Sequence, residues 1–271
     1  MIPEIESIPA PLFYGGAFAL ASLIGMGFAG ILRWRVGEWS EMTLTYGSLF
    51  SGIGGMDLGF DRAGMTCKWQ VEIDDYCNRV LAKHWPNVRR YRDVREVGEH
   101  NLESVDVITG GFPCQPHSVA GKRKGAADDR NLWPEYLRII TELRPTWVVG
   151  ENVPGIVTTY LDTVLSDLEG AGYEVATFNL PAVAFDAPHR RERIFVVADA
   201  NDKRLEIWKS ESSDNGAQQS PTFRACGWPT EPNVGRVAHG VSNRVDRLRG
   251  LGNAVVPQVA EFVARLIVEL P

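Results

Sequence analysis

Cysteine is scarce in this chain: 271 residues hold four, at 67, 77, 114 and 226. They form no Cys-x-x-Cys pair and no Cys/His cluster with zinc spacing, which argues against a disulfide framework or a structural metal and for a reducing compartment. A basic excess is missing too. Lys and Arg number 28 against 34 Asp and Glu, and the formal net charge of −6 speaks against a simple nucleic-acid binder. There is no internal repeat. What is present suits one generous domain with additions: 44% of residues are hydrophobic, enough for a core, and 23% are charged.

Local charge departs from the total. Five arginines stand against two acids between Arg224 and Arg249, a balance of +3, and further basic clusters lie at Lys122–Lys124 and at Arg190, Arg191 and Arg193. Three such clusters in loops favour a phosphate-contacting face.

The N-terminus reads as foreign to the rest. Pro11 to Leu32 carries no charge and is long enough to span a bilayer. Acids precede it and Arg33 and Arg35 follow, which would leave the remainder in the cytoplasm. The competing and favoured reading is an upstream start or dispensable extension, because Met42 stands directly before the first β-like run. Residues 1–41 are therefore set apart as an extension, and a cytoplasmic protein is expected, membrane-anchored only if 11–32 is a real span.

After Met42, β-branched runs alternate with helical patterns. Strands are predicted at 44–50, 67–73, 105–109, 146–150, 174–179 and 193–198, with helices between them and a closing amphipathic helix from Pro257 to Leu270. This alternation predicts an α/β fold with a largely parallel sheet covered on both faces. The expected organisation is a catalytic domain over 42–198, a short target-recognition region with a polar loop over 199–246, and a C-terminal helix over 247–271 returning to the catalytic domain.

Chemistry gathers at predicted strand ends. Phe50-Ser-Gly-Ile-Gly-Gly55 places glycines where a strand turns into a helix, so the backbone can approach a ligand closely. Its spacing is not the dinucleotide fingerprint. Glu72 and Ile73 end the second strand, where an acid can accept from ribose hydroxyls, and Asp93 is expected near the end of the next short strand. Together they favour a nucleoside-containing cofactor. Gly110-Gly-Phe-Pro-Cys-Gln-Pro-His-Ser118 presents Cys114 from a loop, and Glu151 follows an apolar strand, so a thiol and a carboxyl group meet at neighbouring strand ends. On an extended chain, His189, Arg191 and Arg193 would share one side.

In order, Phe50-x-Gly52-x-Gly54-Gly55, Pro113-Cys114-Gln115, Glu151-Asn152-Val153, Arg191-x-Arg193 and Gly252-Asn-Ala-Val-Val-Pro257 resemble the DNA cytosine-5 methyltransferases, over about 43–198 and 247–270. The resemblance implies a Rossmann-like S-adenosylmethionine-dependent methyltransferase fold with a mixed, mostly parallel sheet. It implies Cys114 as nucleophile at carbon 6 of a flipped-out cytosine, Glu151 on the ring nitrogen and exocyclic amine, and Arg191 and Arg193 holding the flipped nucleotide. Phe50, Gly52, Gly54, Glu72, Ile73, Asp93, Pro113, Asn253 and Ala254 would form the S-adenosylmethionine pocket. Gln115, Ser118, Lys122, Arg123, Arg236 and Arg244 would contact DNA, and no metal is expected. DNA with a target cytosine is the expected partner, beside a cognate restriction endonuclease or specificity partner.

Two features depart from the family. His189 stands where Gln is usual, and the recognition region is short, with Trp228–Val241 resembling compact phage-like versions. An RNA cytosine-5 methyltransferase and a decayed DNA-binding relic are the alternatives. The Cys-Phe-Thr signature of the transfer-RNA branch is absent, as is the Asp/Asn-Pro-Pro-Tyr string of amino-group methyltransferases.

Overall fold

The structure is a computed structural model, and it describes residues 43–113, 131–200 and 244–269. Seven strands alternate with helices. They are β1 (Thr45–Leu49), β2 (Thr66–Val71), β3 (Arg89–Tyr91), β4 (Val107–Gly110), β5 (Trp147–Asn152), β6 (Glu174–Pro181) and β7 (Glu192–Asp199). The helices are α1 (Gly55–Arg62), α2 (Asp75–His84), α3 (Trp133–Leu143), α4 (Leu161–Gly170), α5 (Arg244–Asn253) and α6 (Pro257–Glu269).

The sheet runs β3-β2-β1-β4-β5-β7-β6. Pairings from β3 through β5 are parallel, whereas β7 is antiparallel to both its neighbours. The mixed, mostly parallel sheet expected from the sequence is thus present. Order reverses between β1 and β4: the chain builds β2 and β3 to one side of β1, then crosses to the other. Open α/β sheets bind ligands outside the carboxyl ends of strands at such a point.

Strand residues alternate between two cores, as a sheet covered on both faces requires. Ile108, Val148, Ile194 and Val196 join Trp133, Tyr136, Ile139, Val164 and Leu168 on one face. Val107, Val149, Phe195 and Val197 join Met56, Phe60, Val259, Val263 and Ile267 on the other. Helix α1 lies close against α6. A Cβ added at Gly59 would stand 2.5 Å from Ala260 Cβ and 2.6 Å from the Glu261 nitrogen, so only glycine lets the two backbones approach this far.

Two elements differ from the sequence expectation. Strand β5 runs on to Asn152 rather than ending at Gly150, because antiparallel β7 pairs Glu151 with Phe195 and Asn152 with Ile194. The single C-terminal helix expected over 247–271 is two, and α5 forms although Gly250 and Gly252 are weak helix formers. Tertiary packing decides it: Gly250 is buried, and a Cβ there would lie 3.0 Å from Ile53. Among the described residues, Val245–Glu269 has the length and hydropathy of a membrane span. It is two helices broken at Ala254–Val256, however, and the second buries Val259, Ala260, Val263, Ala264 and Ile267 in the core. The apolar run 11–32 lies outside the described residues.

Candidate active site

A cavity of about 560 Å³ opens over the carboxyl ends of β1, β2, β4 and β5, beside the start of α1 and the end of α5. That size falls in the range of small-molecule sites, roughly 300–1,000 Å³.

Its first wall is the glycine turn. Phe50, Gly52 and Gly54 all adopt positive φ (54°, 56° and 82°), so the backbone folds back sharply between β1 and α1. Glu72 holds this turn from β2: its carboxylate accepts from Gly52 N at 2.7 Å and Asp74 N at 2.8 Å. Each oxygen keeps acceptor capacity for a ligand hydroxyl. Ile73, next in sequence, is 62% exposed at the rim. Asp93 lies just past β3, as expected, and accepts from Arg95 N at 3.0 Å.

The second wall is built by β4 and β5. Glu151 is buried, and Arg193 Nε pairs with its Oε1 at 2.9 Å. Burial pushes the Glu151 carboxyl up to about 7, against the pull of Arg193 and Arg191. Gly111 passes so close that an added Cβ would meet Glu151 Oε2 at 2.7 Å. Asn152, also buried, donates from Nδ2 to Phe112 O at 3.0 Å, tying β5 to the segment that ends in Pro113. Beneath lies an aromatic support: Phe112 stacks on Trp133 with centroids 4.9 Å apart, and Tyr136 donates to Val149 O at 3.1 Å.

The structure gathers Phe50, Gly52, Glu72, Ile73, Asp93, Pro113, Glu151, Arg193, Asn253 and Ala254 around this one cavity. Gly54 sits just behind, as the N-cap of α1. Arg191 turns elsewhere. Its φ of 31° lies in the left-handed region, and β7 begins only at Glu192. The extended run that would align His189, Arg191 and Arg193 on one side is therefore broken, and the Arg191 guanidinium reaches carbonyls at the end of α5. Cys114, Gln115, Ser118, Lys122, Arg123 and Arg236 lie outside the described residues, and Arg244 opens α5. Among the described residues, no group of three or more His, Cys, Asp or Glu is placed to hold a metal ion.

Sequence reasoning gave no role to Asn152 or to a buried polar cluster under the glycine turn. Asp57 there accepts from Ser48 Oγ at 3.1 Å and from Gln70 Nε2 at 2.8 Å. The available signal was Gln70, a polar residue between the apolar Trp69 and Val71 at the end of β2.

Comparison with known proteins agrees with this geometry. The family model for C-5 cytosine-specific DNA methylases matches residues 44–226. The type II methyltransferase M2.BsuMI of Bacillus subtilis (strain 168) is 35% identical over 188 residues, 65% of this chain and 47% of its own. A solved chain described as a DNA modification methyltransferase encoded within an E. coli prophage is 29% identical. It superposes with a TM-score of 0.51 over 58% of this chain and 47% of its own. Spodoptera frugiperda DNMT2 shares the fold at 24% identity, with a TM-score of 0.52 over 59% of this chain and 51% of its own. The chain spans about half the length of these relatives.

Proposed function

This chain belongs to the C-5 cytosine-specific DNA methylase family, and from that premise we propose that it methylates carbon 5 of a flipped-out cytosine in DNA, with Cys114 as nucleophile. The observation that carries this reading is the buried Glu151–Arg193 pair on β5 and β7, facing the cavity beside the strand end that leads into Cys114.

The cavity's residues fit S-adenosylmethionine. A glycine turn permits close backbone approach, Glu72 offers acceptors to a ribose diol, exposed Ile73 offers an apolar face to a planar base, and Asp93 offers an acceptor to an amino group. Bound there, the cofactor supplies the methyl group.

The remaining chemistry belongs to the chain. The Cys114 thiolate adds to carbon 6 of the cytosine, and the electron pair displaced from the 5,6 double bond moves toward the ring nitrogen. Glu151, whose burial keeps it partly protonated near neutrality, donates a proton there and stabilises the developing charge. Arg193 fixes the Glu151 carboxyl so that one oxygen faces the base. After carbon 5 has taken the methyl group, loss of its proton to a base restores the double bond and expels the thiolate, and the ring nitrogen returns its proton to Glu151. Asn152 holds the segment after β4, at Phe112, against β5. Reaching an atom inside a duplex requires extruding the base.

Duplex DNA carrying 5-fluorocytosine tests this directly, because fluorine at carbon 5 cannot leave as a proton. With S-adenosylmethionine, the wild-type protein should form a covalent, size-shifted adduct and Cys114→Ser none. An adduct that survives in Cys114→Ser removes Cys114 from the mechanism. Transfer RNA run in parallel separates DNA from RNA as substrate.

A further inference from the structure

Arg191 and Arg193 are two residues apart and do different things. Arg193 reaches Glu151. Arg191 stands just before β7 with φ 31°, a backbone conformation that a residue with a side chain adopts at a cost and that surrounding contacts must enforce. Its Nη2 donates toward Ala254 O at 2.6 Å, Gly252 O at 2.7 Å and Leu251 O at 3.3 Å. Leu251 and Gly252 belong to the last turn of α5, where a helix leaves carbonyls without internal partners and its dipole favours a cation.

Helix α5 buries little of its own surface. Val245, Leu248 and Leu251 are exposed, and of its residues whose burial is described only Gly250 is buried. Its further ties include Gly250 against Ile53 and Tyr76, and a largely exposed Arg249–Asp74 pair at 3.7 Å. Exposed pairs contribute little. Yet this helix and the residues after it form a wall of the cavity, through Asp246, Arg249, Gly250, Asn253 and Ala254.

We infer that Arg191 is a positioning residue: by capping the carboxyl end of α5 it holds that cavity wall in register with the arm carrying Arg193 to Glu151. The inference rests on the reading that S-adenosylmethionine occupies the cavity. Coupling of this kind is reciprocal, so a cofactor seated against α5 also steadies the Arg191 arm before any DNA arrives.

The full-length protein, without DNA, provides the test. In Arg191→Ala, S-adenosylmethionine affinity by calorimetry should fall roughly tenfold or more, the scale of losing charge-assisted hydrogen bonds. Arg191→Lys keeps the cation at the helix end but not the fork, so its affinity should lie between the two. In both variants the amides of 244–256 should exchange with solvent faster, while those of β1 and β5 stay protected. Should Arg191→Ala fail to fold, Arg191→Lys against wild type carries the same comparison. Unchanged affinity and exchange overturn the inference. A raised KM for DNA with unchanged cofactor affinity also overturns it and makes Arg191 a substrate contact. Wild-type protein that fails to bind S-adenosylmethionine instead removes the cavity reading, whatever the exchange of α5 shows.

Discussion

Glu151 is pulled in opposite directions by its surroundings. Burial favours the neutral acid, Arg193 at 2.9 Å and the more distant Arg191 favour the carboxylate, and the balance leaves the group titrating at about 7. If the protonated form does the work, activity is withdrawn as pH rises through about 7, giving the alkaline limb of the pH profile. Removing Arg193 takes away a force that lowers the Glu151 value. Arg193→Ala should therefore move the alkaline limb upward in pH, while the rate at the optimum drops roughly 10²- to 10³-fold, as when one preorganised electrostatic partner is lost. Single-turnover methyl transfer across pH 5.5–9 reads both effects, and a limb that stays put or moves down refutes the assignment. Glu151 and Phe50–Gly55 were legible in the sequence because their signals are local: an acid after an apolar run, and glycines at a strand-to-helix turn. The partners of Arg191 were not. They are backbone carbonyls some sixty residues away, and a carbonyl leaves no mark in a sequence.

At the scale of elements, the contact between α1 and α6 fixes how the end of the chain returns to the cavity. The contact is close because Gly59 has no side chain, and the atoms an added methyl group would meet include the backbone at Pro257 and Glu261, which cannot swing aside. Gly59→Ala should destabilise the fold by about 1–3 kcal/mol, the usual result of overpacking a tight core. A lower urea midpoint with an unchanged slope is the expected signature, and an unaltered midpoint means that the two helices separate easily. Periodicity revealed α1 and α6 but not their closeness. It also cut β5 short at Gly150, since the antiparallel neighbour that extends the strand through Glu151 and Asn152 arrives about forty residues later. The break between α5 and α6 left a weaker mark: Gly250 and Gly252 dilute the local preference of α5, and burial of Gly250 and the cap from Arg191 make up for it.

Across the whole molecule, two buried acids tie folding to pH. Asp57, wholly buried under the glycine turn, titrates at about 6 because burial outweighs the hydrogen bonds from Gln70 and Ser48. Glu151 titrates at about 7 for the same leading reason. Both values lie above those of an unfolded chain, roughly 4, so folding takes up protons between. The stability these groups lend is whole below about pH 4 and is lost as pH rises through about 6 for Asp57 and about 7 for Glu151. Asp74 and Glu142 act the other way, because their values are lowered and their contribution disappears only as pH falls. Asp57→Asn imitates the protonated acid at every pH. Its amide can also meet the Gln70 Oε1 atom, which is buried and has no hydrogen-bond partner among the described residues. Relative to wild type, this variant should gain stability between about pH 4 and pH 6 and hold a constant advantage above about pH 7, read as the difference in urea unfolding free energy at each pH. A difference that stays flat across that window means that the Asp57 carboxylate is solvated well enough in the folded protein to carry its charge without cost. The glycine turn would then be braced by an ion rather than by a neutral hydrogen-bonded cluster.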